Sequence, residues 1–98
     1  MTKSQKQIHD ILKFISTVKK NEFPEKDLER LFSAMLSPSE IEVISQRIHV
    51  LELLYTGKSQ RDVSEQLGVG VATATRGNRM LKENIDLFEQ ILIKKGTT

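Results

Sequence analysis

The sequence predicts an all-α fold of six helices. Three observations carry that prediction. Apolar residues recur at spacings of three and four along most of the 98 residues, and no segment reads as a strand. Ser37-Pro38-Ser39-Glu40 is a strong start signal for a long central helix. Residues 59–76, SQRDVSEQLGVGVATATR, are too sparsely apolar for one straight helix and are broken by two glycines. That is the pattern of two short helices joined by a tight turn.

Each element follows from its own residues. Ile8, Ile11, Leu12, Ile15 and Val18 form one stripe on an otherwise polar first helix, which Asn21 and Pro24 punctuate. A second helix, from about residue 25, carries Leu28, Leu31, Phe32 and Met35. In the third, Ser37 can cap free N–H groups, Pro38 suits the first helical position and Glu40 completes a capping box. This helix runs to about Tyr55, with Gly57 as its stop. It has two stripes, one of Ile41, Ile44, Ile48, Leu51 and Tyr55, the other of Val43, Val50 and Leu54. A helix apolar on two sides is expected to be buried from two sides, as the central post of the fold. The two short helices span about 60–67 and 71–82, with Ser59 capping the first. A last helix near 86–94 offers Leu87, Phe88, Ile91 and Leu92, and Gly96-Thr97-Thr98 is expected to fray.

The length allows one domain at most, residues 1–98. With no cysteine, disulfides and thiolate metal sites are excluded, and no metal site is expected. His9 and His49 have no partner at metal-ligand spacing. Neither a signal peptide nor a membrane span is legible, so the sequence predicts a soluble, cytoplasmic protein. The helices are short for a closed core, and the stripes of the first and last need a partner surface. Burial across a two-fold axis supplies it, so a homodimer is expected. Its core is assigned to about 4–57 and 85–95, leaving 59–82 as the helix-turn-helix.

The net charge of +2 is unevenly spread. Residues 57–82 hold Lys58, Arg61, Arg76, Arg79 and Lys82 against only Asp62 and Glu65. In the turn between the short helices, Gly68 can take the left-handed conformation. Val63, Leu67, Ala74 and Leu81 face inward, Ser64 permits a close crossing and Val69 plugs the corner. At 100° per residue the outer face of the second short helix shows Ala72, Thr73, Thr75, Arg76, Arg79 and Lys82. Small side chains near its start and cations further along suit entry into a DNA major groove. Gln60 and Arg61, opening the preceding helix, have the reach for a base edge or phosphate.

Two positions stand outside this scheme. Arg47 lies between Val43 and Val50 on an apolar stripe, where a guanidinium needs a partner. A salt bridge to Glu40, Glu42 or a partner-chain carboxylate would serve, as would a flat aromatic ligand or a ligand carboxylate. Met80 lies on the flank of the recognition helix shared with Thr73, Arg76 and Gly77, where it either packs on a neighbouring helix or lines a slot.

LFSAMLSPSEIEVISQRIHVLELLYTGKSQRDVSEQLGVGVATATRGNRMLK, residues 31–82, resembles the bacterial tryptophan repressor family. GVATATRG, leading through NRM into LK, is the most specific piece. The resemblance implies a six-helix, intertwined homodimer that binds a palindromic operator in double-stranded DNA as a transcriptional repressor, with L-tryptophan as corepressor. It implies that the genes controlled serve tryptophan biosynthesis or transport. It also implies that Arg47 and Arg76 sandwich the indole, with Arg76 near the carboxylate and Gly77 giving the ring room. The ammonium group would meet the carbonyl end of the second helix around Ala34 and Leu36, with Ser37 beside it. Gln60, Arg61, Val71, Ala72, Thr73 and Thr75 would face the operator, with Lys82 on phosphate and Arg79 on the same face. Some positions depart from the family. Ser37 stands for a threonine, Ala34 for a leucine, Val71 for an isoleucine and Arg79 for an asparagine. Met80 stands for a serine near the ligand's amino group, which removes a polar partner and adds bulk. The loop around Gly57 to Ser59 is one residue shorter.

Two other readings use the same residues. In one, a regulator of this fold binds DNA without a ligand. In the other, a helical interaction module presents its basic patch to an acidic protein. No nucleophile–base pair, carboxylate pair or phosphate loop is evident, so an enzyme is not expected.

Overall fold

The computed structural model describes the backbone of residues 1–96 and the side chains of residues 1–92, so Thr97 and Thr98, expected to fray, lie outside the described residues. Among the described residues there are six helices and no strand: α1 (Lys3–Lys20), α2 (Glu25–Met35), α3 (Pro38–Tyr55), α4 (Gln60–Leu67), α5 (Val71–Glu83) and α6 (Ile85–Gly96). The chain divides into two compact units, residues 1–38 and residues 39 onward.

In the first unit, α1 opens with a capping box that the sequence carries as Thr2-Lys3-Ser4-Gln5. Gln5 N–H donates to Thr2 Oγ1 at 3.2 Å, and Thr2 N–H donates to Gln5 Oε1 at 2.8 Å. Asn21 closes the helix, its Nδ2 donating to the Thr17 carbonyl at 2.7 Å. Pro24, with φ −65°, precedes the first residue of α2. The apolar stripes form as expected, but no residue of α1 or α2 is buried. Ile8, Ile11, Leu12 and Ile15 are 52–57% exposed, and Phe32 and Met35 56–57%.

The second unit holds the core: Val50, Leu51 and Leu54 from α3, Val63 from α4, Ala74 and Leu81 from α5. Leu67, Val69, Met80, Phe88 and Leu92 pack around it. The expectation that α3 is buried from two sides needs correction for the single chain. The core reaches only its last turns, while Ile41, Val43, Ile44 and Ile48 are 40–49% exposed. Gly57, at φ +99°, ends the helix in a Schellman arrangement: its N–H bonds the Leu54 carbonyl and that of Lys58 bonds the Leu53 carbonyl.

The helix-turn-helix follows its sequence cues closely. Ser59 Oγ accepts from Asp62 N–H at 3.1 Å, capping α4. Gly68 ends α4 at φ 66°, ψ 30°, the left-handed region. Val69 N–H then donates back to the Ser64 carbonyl, and Ser64 Oγ donates to the Val69 carbonyl at 2.6 Å. These bonds fix the corner from which α5 departs.

The close approach of α5 to α3 depends on Gly77, which is buried. A Cβ there would collide with Val50 Cγ1 and lie 3.5 Å from Leu54 Cδ1. The missing side chain is thus a helix-packing device. Gly77→Ala is expected to destabilise the protein by about 1–3 kcal/mol through overpacking. With Val50→Ala already in place, the same substitution should be neutral or stabilising, since alanine is the better helix former by about 1 kcal/mol. Urea unfolding of the two single variants and the double variant measures this coupling.

Candidate functional site

Where α5 crosses the end of α3, a cleft of about 140 Å³ opens, lined by Arg47, Val50, Thr73, Arg76, Gly77 and Met80. Helical spacing explains the set. Arg47 lies one turn before Val50, while Thr73, Arg76, Gly77 and Met80 follow at three- and four-residue intervals along one flank of α5. Val50 and the bare Gly77 backbone form an apolar floor, and Met80, half-buried, forms a wall. Arg47 and Arg76 are exposed. Among the described residues the ion pair seen is that of Arg61 with Glu65, which involves neither guanidinium. Two cations over an apolar floor suit a flat aromatic molecule carrying a carboxylate: a guanidinium stacks on a π face and pairs with an anion.

The structure thus brings Arg47, Arg76, Gly77 and Met80 together with Thr73. Gly77 lines the cleft and also seats α5 on α3, since a Cβ there would meet Val50 Cγ1. Ala34, Leu36 and Ser37 belong to the first unit. Ala34 sits in the last turn of α2 and Leu36 caps it, its N–H donating to the Phe32 carbonyl at 3.0 Å. Ser37 follows. That carbonyl end carries the negative pole of the helix dipole.

On the outer side of α5, Val71, Ala72, Thr75, Arg76 and Arg79 line a second, open depression. Arg76 therefore borders both the cleft and the outer face. Val71, at the start of α5, is 61% exposed. Lys82 extends the basic row into the last turn of α5. Thr73 is exposed but borders the cleft rather than the outer depression.

At the start of α4, Gln60 and Arg61 are both engaged within the chain. Thr75 Oγ1 donates to Gln60 Oε1 at 2.8 Å, a tie between α4 and α5 across 15 residues. Arg61 Nε donates to Glu65 Oε1 at 3.3 Å in an exposed i,i+4 pair. Sequence reasoning missed the first contact, because spacing within one helix says nothing about residues facing each other over a turn. It could have found the second from the Arg61–Glu65 spacing. Among the described residues no His, Cys, Asp and Glu side chains gather at a metal-binding distance, and no helix is long and apolar enough to cross a membrane.

Comparison with known proteins fits this geometry. The chain matches the family described as "Trp repressor protein" over residues 3–95. A "Trp operon repressor homolog" from Chlamydia trachomatis serovar L2 is 38% identical over 72 residues, 72% of this chain and 77% of the relative. Proteins of the same name from Vibrio campbellii and Photobacterium profundum are 42% and 46% identical over 59 and 57 residues. Those matches cover 59% and 57% of this chain, and only 59% and 55% of the relatives' length. Six helices, the glycine-cornered helix-turn-helix and a match over nearly the whole chain lead to one conclusion: the protein belongs to the Trp repressor family, a family of transcriptional regulators rather than enzymes.

Proposed function

We propose that the protein is a DNA-binding repressor that works as a homodimer with L-tryptophan as corepressor and controls genes for tryptophan biosynthesis or transport. In this reading the whole chain is one DNA-binding domain, with the helix-turn-helix at about 59–82 and the dimer core at about 4–57 and 85–95. The observation that carries it is the shared position of Arg76, between the cleft and the outer face of α5. The indole stacks between the Arg47 and Arg76 guanidiniums, and Arg76 also meets the carboxylate. Ala34 and Leu36 offer carbonyls to the ammonium group, with Ser37 nearby. Met80 contributes an apolar wall where relatives of the family carry a hydroxyl.

The ligand acts by population shift. It favours DNA binding only as far as it binds the DNA-competent tilt of α4 and α5 more tightly than other tilts. In that tilt Gln60, Arg61, Val71, Ala72, Thr73 and Thr75 face base edges, while Arg79 and Lys82 meet phosphates. The bare stripes of α1, α2 and the first half of α3 are covered by the second chain. The exposure of Ile8, Ile11, Ile15, Ile44 and Ile48 supports this part of the reading.

L-Tryptophan is expected to raise the melting temperature and to tighten binding to a palindromic duplex. Arg47→Ala should weaken tryptophan binding by roughly 3- to 30-fold, the worth of a cation–π contact. Arg76→Ala should weaken it further, because stacking and carboxylate pairing go together. Calorimetry with the purified protein reads both effects. If tryptophan changes neither melting nor duplex affinity, the corepressor assignment is wrong and a ligand-independent regulator replaces it.

Two-fold symmetry predicts half-sites one helical turn apart, roughly 34–36 Å, as in other helix-turn-helix dimers, among which the Trp repressor is itself a standard example. With Arg79 and Lys82 from each chain on phosphates, affinity should fall roughly 10²-fold between about 50 and 200 mM salt. Fluorescence anisotropy with duplexes of varied half-site spacing checks both expectations. A salt-independent affinity would favour an acidic protein partner instead.

A further inference from the structure

The contact between Thr75 and Gln60 bears on how the protein reads sequence. Thr75 lies on the outer face of α5, and Gln60 opens α4, on the opposite side of the Gly68 turn. The Thr75 hydroxyl donates to the carboxamide oxygen of Gln60 at 2.8 Å. Among the described residues no acceptor takes the hydrogens of Gln60 Nε2. A glutamine normally recognises adenine with both ends, its oxygen accepting from N6 and its nitrogen donating to N7. Here the oxygen is already directed at a hydroxyl within the protein.

We propose that Thr75 is a positioning residue that turns the Gln60 amide donor-first towards the duplex, favouring a base whose major-groove edge presents acceptors, guanine with N7 and O6, over the two-ended pairing with adenine. The tie has two consequences. It holds the Gln60 side chain against α5, so less rotamer freedom is lost on binding. It also takes one of the two lone pairs of the oxygen and turns that oxygen towards α5, so the N–H groups lead towards the duplex, as those of the neighbouring Arg61 do. The α4 entrance then presents donors from two adjacent side chains. This inference rests on the DNA-binding reading above.

The test uses the full-length protein with L-tryptophan and a palindromic duplex selected from a random library by the unaltered protein. Each base pair of the half-site is then permuted in turn, and affinities are measured for Thr75→Val, Thr75→Ser and Gln60→Ala/Thr75→Val. Thr75→Val keeps the side-chain shape without the donor, at an exposed position, and its melting temperature is measured beside the unaltered protein's. It should reduce the preference for guanine over adenine at one base pair per half-site by at least about 5-fold, the low end of what a bidentate contact is worth. Thr75→Ser should keep the original preference, and the double variant should lose the gain for adenine. Identical preferences in Thr75→Val and the unaltered protein would overturn the inference. So would a serine variant that behaves like valine, or a double variant that still gains adenine. A uniform loss over all sequences would put the amide on a phosphate and overturn the base assignment. If the unaltered protein binds no duplex at all, the DNA reading fails first, and this inference falls with it.

Discussion

The seat of Gly77 on Val50 is the constraint on which the rest of the second unit depends. Because position 77 has no side chain, the backbone of α5 comes close enough for Val50 to fill the space a Cβ would occupy, with Leu54 in contact beside it. That approach buries Ala74 and Leu81 on one side of α5 and carries Val63 of α4 into the same core. It also creates the cleft. Arg47 is one turn from Val50 on one helix, and Arg76 and Met80 flank Gly77 on the other. Two cations and a thioether are thus brought around a shared apolar floor by a single close contact. A bulkier residue would separate the helices and dissolve the cleft together with the core.

From that seat the chemistry runs outward in one direction. Arg76 borders both the cleft and the outer depression, so an occupant of the cleft would bear directly on the outer surface. Coupling of this kind needs no long pathway: the two sites share a side chain and one short helix. The small core makes the arrangement adjustable. The helix-turn-helix contributes only Val63, Ala74 and Leu81 as fully buried apolar side chains, and a lightly anchored element shifts its population under modest binding energies. The first unit contributes apolar surface rather than core. Its stripes are complete in pattern, and Ile8, Ile11 and Ile15 remain exposed.

Much of this was legible in the sequence because the signals are local. Ser59 caps α4 and Gly68 turns left-handed, both determined by the few residues on either side. Ala74 and Leu81 face inward because helical periodicity puts them opposite Arg79 and Lys82. The four residues of the α5 cleft wall share a flank for the same reason. What escaped was contact between elements. That Gly77 also seats α5 on Val50, 27 positions earlier on another helix, follows from no spacing rule. The two stripes of α3 read as two buried sides, but pattern alone does not say whether the cover comes from the same chain. The Gln60–Thr75 bond depends on the angle of the turn, which no spacing rule encodes.

Hydrogen exchange of the full-length protein with and without L-tryptophan tests the central claim most directly, namely that whatever fills the Arg47–Arg76 cleft sets the orientation of α4 and α5. The account predicts that amides of α4 and α5 become more protected when tryptophan is present, while those around Val50 to Leu54, already fixed in the core, change little. Protection in α4 and α5 that is indifferent to the ligand, despite demonstrated binding, would contradict it.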